Sequence, residues 1–240
     1  MIDTLIQCVD LTSLSETDTS DSIKALCKQA LTLPHVAAVC CFPQFVSCAK
    51  AALGDSSIKV ATVVNFPSGI SSTEMVLADT VHAVMLGADE IDCVIPYRSL
   101  GQPSAAELIQ EFVAAVKVAC QGRTLKVILE TGALTNEQIQ LAARASIAGG
   151  ADFLKTSTGK IETGATEQAV KSLLETCESE GSQTGIKVSG GIRTVDQALL
   201  YSKLIQQFRG KSGLNPAQFR IGASALLCAL RSKLQATVQT

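Results

Sequence analysis

Gly150-Ala-Asp-Phe-Leu-Lys-Thr-Ser-Thr-Gly-Lys160 joins a short apolar run to a turn of hydroxyls and glycine. A helix-length further on, Gly185-Ile-Lys-Val-Ser-Gly-Gly-Ile-Arg193 repeats the design. Each run reads as a strand that should be buried, yet each carries a lysine, Lys155 or Lys187. A lysine in such a strand is costly unless paired or neutralised. Two lysines converging on one pocket lower each other's affinity for a proton, which makes an amine nucleophilic near neutral pH. The pair predicts Schiff-base chemistry on a phosphorylated carbonyl compound.

Outward from these two units, apolar, β-branched runs recur with helical segments between them. Strands are expected at 6–12, 36–42, 59–66, 90–95, 126–130, 152–156, 186–189 and 219–222. Runs apolar on both faces suit a parallel sheet covered by helices. Four capping-box patterns mark helix starts: Ser71 with Glu74, Ser104 with Glu107, Thr135 with Gln138, and Thr194 with Gln197. Leu108, Ile109, Phe112, Val113 and Val116 form a stripe that would pack on a sheet, and Gly87, Gly149 and Gly150 stand where helices should end. Eight such units in 240 residues predict a single (β/α)8 TIM barrel spanning residues 1–240, with a doubly wound open sheet as the alternative topology.

The composition narrows the function classes. Hydrophobic content of 47% with 18% charged residues describes a globular chain, and the apolar runs are too short for a membrane span. The amino terminus does not read as a signal peptide. Nine cysteines without disulfide-framework spacing suggest reduced thiols in the cytoplasm. A net charge of −2 argues against nucleic acid as a partner. The two histidines, His35 and His82, have no metal-ligand spacing and no triad context, and no dinucleotide or Walker A loop appears. Neither a metal nor an organic cofactor is expected.

In a barrel, chemistry sits at the carboxyl ends of the strands. Asp10, Cys40, Asn65, Asp92, Glu130, Lys155 and Lys187 all fall on or near such ends. Lys155 is read as the amine that attacks a carbonyl; the plain alternative is a lysine snorkelling to solvent. Lys187, one strand over, would supply a like-charge field, with desolvation adding the rest. Asp92 would relay protons to and from a carbinolamine, or else pair with a structural lysine. Asp10 is either an orienting partner or part of a fold-stabilising ion pair. Three glycine-bearing turns, Thr158-Gly159-Lys160, Gly190-Gly191-Ile192-Arg193 and Gly222-Ala223-Ser224, would adjoin at the last strands. Glycine lets backbone N–H groups approach an anion, Ser224 is expected to begin a helix, and Lys160 and Arg193 add charge, so a phosphate site is predicted there. Cys40 is assigned no catalytic step.

These motifs resemble deoxyribose-phosphate aldolase, a class I aldolase family on a (β/α)8 barrel. The likeness runs through Val9-Asp-Leu-Thr12, Ala38-Val-Cys-Cys-Phe-Pro43, Val64-Asn-Phe-Pro-Ser-Gly69, Ala88-Asp-Glu-Ile-Asp92, Lys126-Val-Ile-Leu-Glu-Thr131, the two lysine blocks and Arg220-Ile-Gly-Ala-Ser224. The resemblance implies reversible cleavage of 2-deoxy-D-ribose 5-phosphate to D-glyceraldehyde 3-phosphate and acetaldehyde, and a homodimer. It assigns the Schiff base to Lys155, its perturbation to Lys187 and proton transfer to Asp92. The chain departs from the family in three places. The final segment, Leu234-Gln-Ala-Thr-Val-Gln-Thr240, has no tyrosine to reach the site. The amino-terminal segment is short for closing the barrel bottom, and Ala225 replaces a second serine near the phosphate. Two other function classes would share the frame: a transaldolase-like transferase, and a phosphate-sugar binder without imine chemistry.

Overall fold

The computed structural model describes residues 1–238; Gln239 and Thr240 of the final segment lie outside the described residues. Among the described residues eight parallel strands close into one barrel. They are β1 (Val9–Thr12), β2 (Ala38–Cys41), β3 (Lys59–Val64), β4 (Glu90–Val94), β5 (Thr124–Ile128), β6 (Phe153–Lys155), β7 (Gly185–Ser189) and β8 (Phe219–Ala223). Closure is set by β1 pairing with β8 as well as β2, with Val9 opposite Ile221, which excludes the open sheet. Around the strands run α1 (Ile2–Gln7), α2 (Ser20–Ala30), α3 (Val46–Leu53), α4 (Thr73–Met85), α5 (Ala105–Ala119), α6 (Asn136–Ala148), α7 (Glu167–Ser179), α8 (Val195–Arg209) and α9 (Leu226–Val238).

Two apolar cores result. The large one lies between strands and helices, where Val39, Ile91, Val127, Leu154, Ile186 and Ile221 point outward against the helices. The small one lies inside the barrel, built by Ala38, Cys40, Ala61 and Val63 with Leu14, and Phe42 and Phe66 pack on it edge to face. The period-two alternation of side chains along a strand makes this division, because every second residue faces the axis.

Two of the four expected capping boxes form, and the expected stripe on α5 is buried except for Leu108, which is exposed. Thr135 and Thr194 form capping boxes with Gln138 and Gln197. Ser72, not Ser71, caps α4, and Ser104 forms no cap bond because its backbone is left-handed at φ 62°. The predicted strand at 6–12 begins at Val9; the preceding residues wind into α1, which buries Leu5 and Ile6 beneath the barrel and lies against α9. The short amino-terminal segment thus does cover apolar surface at the bottom. No helix among the described residues is long and apolar enough to cross a membrane.

Candidate active site

The parallel register places Lys155 opposite Lys187, and Asp92 opposite Lys126. Neighbouring strands lie about 4.8 Å apart, so side chains paired in register and facing the axis must meet. They do. Asp92 accepts hydrogen bonds from Lys155 Nζ and Lys187 Nζ, each 2.7 Å from Oδ2, and from Lys126 Nζ at 2.9 Å on Oδ1. Lys187 also contacts Asp10 Oδ2 at 2.5 Å. Lys126 contacts Glu90 at 2.5 Å and Asp10 at 3.7 Å. Below them Arg220 bonds Asp10 at 2.6 Å and Glu90 at 2.8 Å, and its guanidinium stacks over the Phe153 ring. All seven charged side chains are buried within the barrel.

Asp10 therefore lies in the lysine network and in an ion pair with Arg220 at once. Glu90, Lys126 and Arg220 were not singled out from the sequence. The signal that marked Lys155, a charge inside an apolar strand, was present at each of them.

The environment separates the two central lysines. Burial pushes the Lys155 ammonium toward losing its proton, Asp92 opposes this, and the Lys187 charge assists. Burial disfavours the Lys187 charge too, but Asp10 and Asp92 overcome it and raise its proton affinity above that of an ordinary lysine. The order of causes at Lys155 thus reverses the expectation: desolvation is the larger effect and the like charge the smaller. Burial would raise the Asp92 carboxyl, but Lys126, Lys155 and Lys187 hold it well below the usual carboxylate range. Asp10 is held low in the same way, mainly by Lys187 and Arg220 against burial. Cys40, on the facing wall, is raised by burial first and by Asp92 next, so it stays a thiol near neutral pH.

Above Lys155 opens a cavity of about 400 Å³. All eight residues predicted for phosphate line it: Thr158, Gly159, Lys160, Gly190, Gly191, Arg193, Gly222 and Ser224. Thr12 at the end of β1 and Ser13, Leu14 and Ser15 of the β1–α2 loop also line it, a contribution not foreseen. Their hydroxyl-rich composition was the available signal.

The mouth is built by loops bonded to one another. Ser189 donates its hydroxyl to the Ser157 carbonyl at 2.6 Å, and its N–H to Thr156 Oγ1 at 3.0 Å. Gly164 and Gly190 bring the β6 and β7 loops together; a Cβ on Gly164 would lie 2.3 Å from the Gly190 carbonyl oxygen. At Gly222 a Cβ would lie 3.2 Å from Lys187 Cε, so glycine keeps the stem of that lysine clear.

Two predicted phosphate residues have other duties in this structure. Thr158 donates both its N–H and its hydroxyl to Glu130, whose left-handed backbone turns the carboxylate toward it. Lys160 donates its ammonium to the Leu14 carbonyl at 2.7 Å, joining the β6 loop to the β1–α2 loop. Ser224 lies two residues ahead of α9, which starts at Leu226, so it flanks that helix instead of beginning it. Arg193 is exposed at the rim. Among the described residues no group of three or more His, Cys, Asp or Glu side chains converges as a metal site.

A (β/α)8 barrel with buried lysines at its strand ends and a polar cavity above them defines a class of lysine-bearing barrel enzymes. Comparison with known proteins narrows the class. Residues 4–227 match the family model described as DeoC/LacD family aldolase. A deoxyribose-phosphate aldolase from Agrobacterium fabrum is 44% identical over 228 residues, covering 92% of this chain and 87% of that protein. A crystal structure from Toxoplasma gondii ME49 superposes with a TM-score of 0.89 at 30% identity, covering 100% of this chain and 96% of that one. The deoxyribose phosphate aldolase of Aeropyrum pernix, a tetramer, gives a TM-score of 0.80 at 26% identity, with 98% and 93% covered. The chain belongs to the DeoC/LacD aldolase family, on the deoxyribose-phosphate aldolase side of it, and is a class I aldolase.

Proposed function

We propose that the protein reversibly cleaves 2-deoxy-D-ribose 5-phosphate to D-glyceraldehyde 3-phosphate and acetaldehyde through an imine on Lys155. The observation that carries this reading is the position of Lys155 Nζ, 2.7 Å from Asp92 and opening onto the cavity lined by the three glycine turns. Neutral Lys155 adds to the C1 aldehyde, and the carbinolamine loses water to give an iminium. The C3 hydroxyl proton then leaves, the C2–C3 electron pair flows into the iminium, and glyceraldehyde 3-phosphate departs from an enamine. Protonation at C2 and hydrolysis release acetaldehyde and restore the amine.

Asp92 suits the proton-accepting half of this cycle. A neutral Lys155 amine has two N–H groups and the iminium keeps one, so Asp92 loses a potential donor as the iminium forms and is better able to take a proton. Lys187, held as an ammonium beside the same oxygen, is the matching donor. Arg193, the exposed rim and the glycine turns would bind phosphate, using remote binding energy to align the C2–C3 bond. Self-association is part of the same reading: the family likeness implies a homodimer, and light scattering on the purified chain measures the subunit number.

Borohydride reduction in the presence of acetaldehyde, followed by peptide mass mapping, tests the proposal. A stable two-carbon adduct on Lys155 is expected. No adduct on any lysine would leave a binder without imine chemistry. A longer dihydroxyacetone-like adduct from other sugar phosphates, with none from acetaldehyde, would identify a transaldolase-like transferase.

A further inference from the structure

The barrel interior holds three carboxylates, Asp10, Glu90 and Asp92, and three cations besides Lys155, namely Lys126, Lys187 and Arg220. These six balance. Each of the three cations contacts at least two carboxylates: Lys126 meets all three, Lys187 meets Asp10 and Asp92, and Arg220 meets Asp10 and Glu90. Lys155 contacts a single carboxylate oxygen, and shares it with Lys187. Its proton is therefore the surplus charge in a buried cluster, and the one least supported by its neighbours.

The geometry points to the Glu90–Arg220 pair at the barrel floor as a pair of positioning residues that fix this balance and so keep Lys155 a neutral amine. The inference rests on Lys155 being the reacting group, as proposed above. Glu90 touches neither Lys155 nor the cavity above it; it acts through Lys126, which it holds at 2.5 Å while Lys126 holds Asp92 at 2.9 Å. Without the Glu90 charge the cluster carries one excess positive charge, and Lys126 takes a larger share of Asp92. Both effects make the Lys155 ammonium harder to keep. Without the Arg220 charge the cluster carries an excess negative charge, and the ammonium becomes easier to keep. The remaining groups that face Lys155 are Asp92 from β4, Lys126 from β5, Lys187 from β7, Asp10 from β1 and the Cys40 thiol from β2, with Lys160 and Arg193 at the mouth of the cavity.

The pH dependence of imine formation reads this directly, as the rate of borohydride-trapped acetaldehyde adduct on Lys155. Glu90→Gln should move the acid limb of that profile down by about one pH unit, and Arg220→Met should move it up by about one, the scale of a buried unit charge at an effective dielectric near 20. The double variant should return it to the wild-type position. A merely structural role would lower rates without opposite displacements. Equal displacements in the same direction, or none, would overturn the assignment. Where circular dichroism shows a single variant unfolded, the charge-balanced double variant decides: a limb at the wild-type position supports the balance, and a displaced one refutes it. Failure of the underlying reading would show separately, as absence of an adduct on Lys155 in the unsubstituted protein.

Discussion

β2 and β3 line the inside of the barrel with Ala38, Cys40, Ala61 and Val63, whereas β1 and β4 to β8 line it with seven charged side chains. Both walls occupy the same kind of position: inward-facing, on parallel strands, and buried. Packing alone would favour the first solution everywhere, because replacing a buried ion cluster by hydrophobes of similar volume is often neutral or stabilising. The charged half is therefore better explained by what it does than by what it holds together. The apolar wall matters to it as well, since low polarity on one side strengthens every interaction on the other.

Substitutions can break that contrast or sharpen it. Lys155→Ala should lower turnover by about 10⁴-fold or more, with the fold retained by circular dichroism, as expected when a covalent nucleophile is removed. Wild-type-like rates would reduce the charged half to structure. Asp92→Asn leaves the buried Lys126 and Lys187 ammonium groups short of a carboxylate, so a stability loss of about 3–5 kcal/mol in urea titration is expected. The same variant should lose about 10²- to 10⁴-fold in rate. A variant as stable as the parent would mean that the ammonium groups find other partners. Lys187→Leu removes a charge that weakens the hold of Lys155 on its proton and frees Asp10 and Asp92 to strengthen it. Both consequences raise the Lys155 pKa. Less neutral amine is then present at a given pH, and the acid limb should rise by about one to two units; an unmoved limb refutes this.

Arg193→Ala, at the rim, should raise KM for 2-deoxyribose 5-phosphate about tenfold, the value of a charged hydrogen bond, while non-phosphorylated deoxyribose reacts as before. Parallel losses on both substrates would place Arg193 outside phosphate binding. Val63→Ala, on the apolar wall, should cost about 1–2 kcal/mol of stability and leave the pH profile in place. A displaced profile there would show that the two halves are not electrically separate.

The fold was legible because its signals are local and repeated. β3 starts at Lys59, β4 at Glu90 and β8 at Phe219, each at the residue expected. The failure at 6–12 has a local cause: Ile6 and Gln7 are as apolar or neutral as a strand requires, and burial in α1 uses the same residues differently. The site was legible where chemistry and strand propensity conflict, as at Lys155, Lys187 and Asp92. Partnerships were less so. Nothing in the spacing says that Arg220 reaches across to Glu90, or that Lys160 turns back to the Leu14 carbonyl, because both contacts join distant segments through barrel closure. Thr158 shows the complementary limit: it lines the cavity, while its commitment to Glu130 depends on a left-handed residue that composition does not announce.

The depth of the ion cluster has one more consequence. Mobile ions screen exposed charges within about 10 Å at 0.1 M salt, but they screen buried pairs much less. Lys126, Lys187, Asp10 and Asp92 are 0% exposed, whereas Arg193 faces solvent. Raising the ionic strength should therefore weaken capture of the phosphorylated sugar and leave the bond-breaking rate of the filled site unchanged, so that salt acts on occupancy and spares the chemistry.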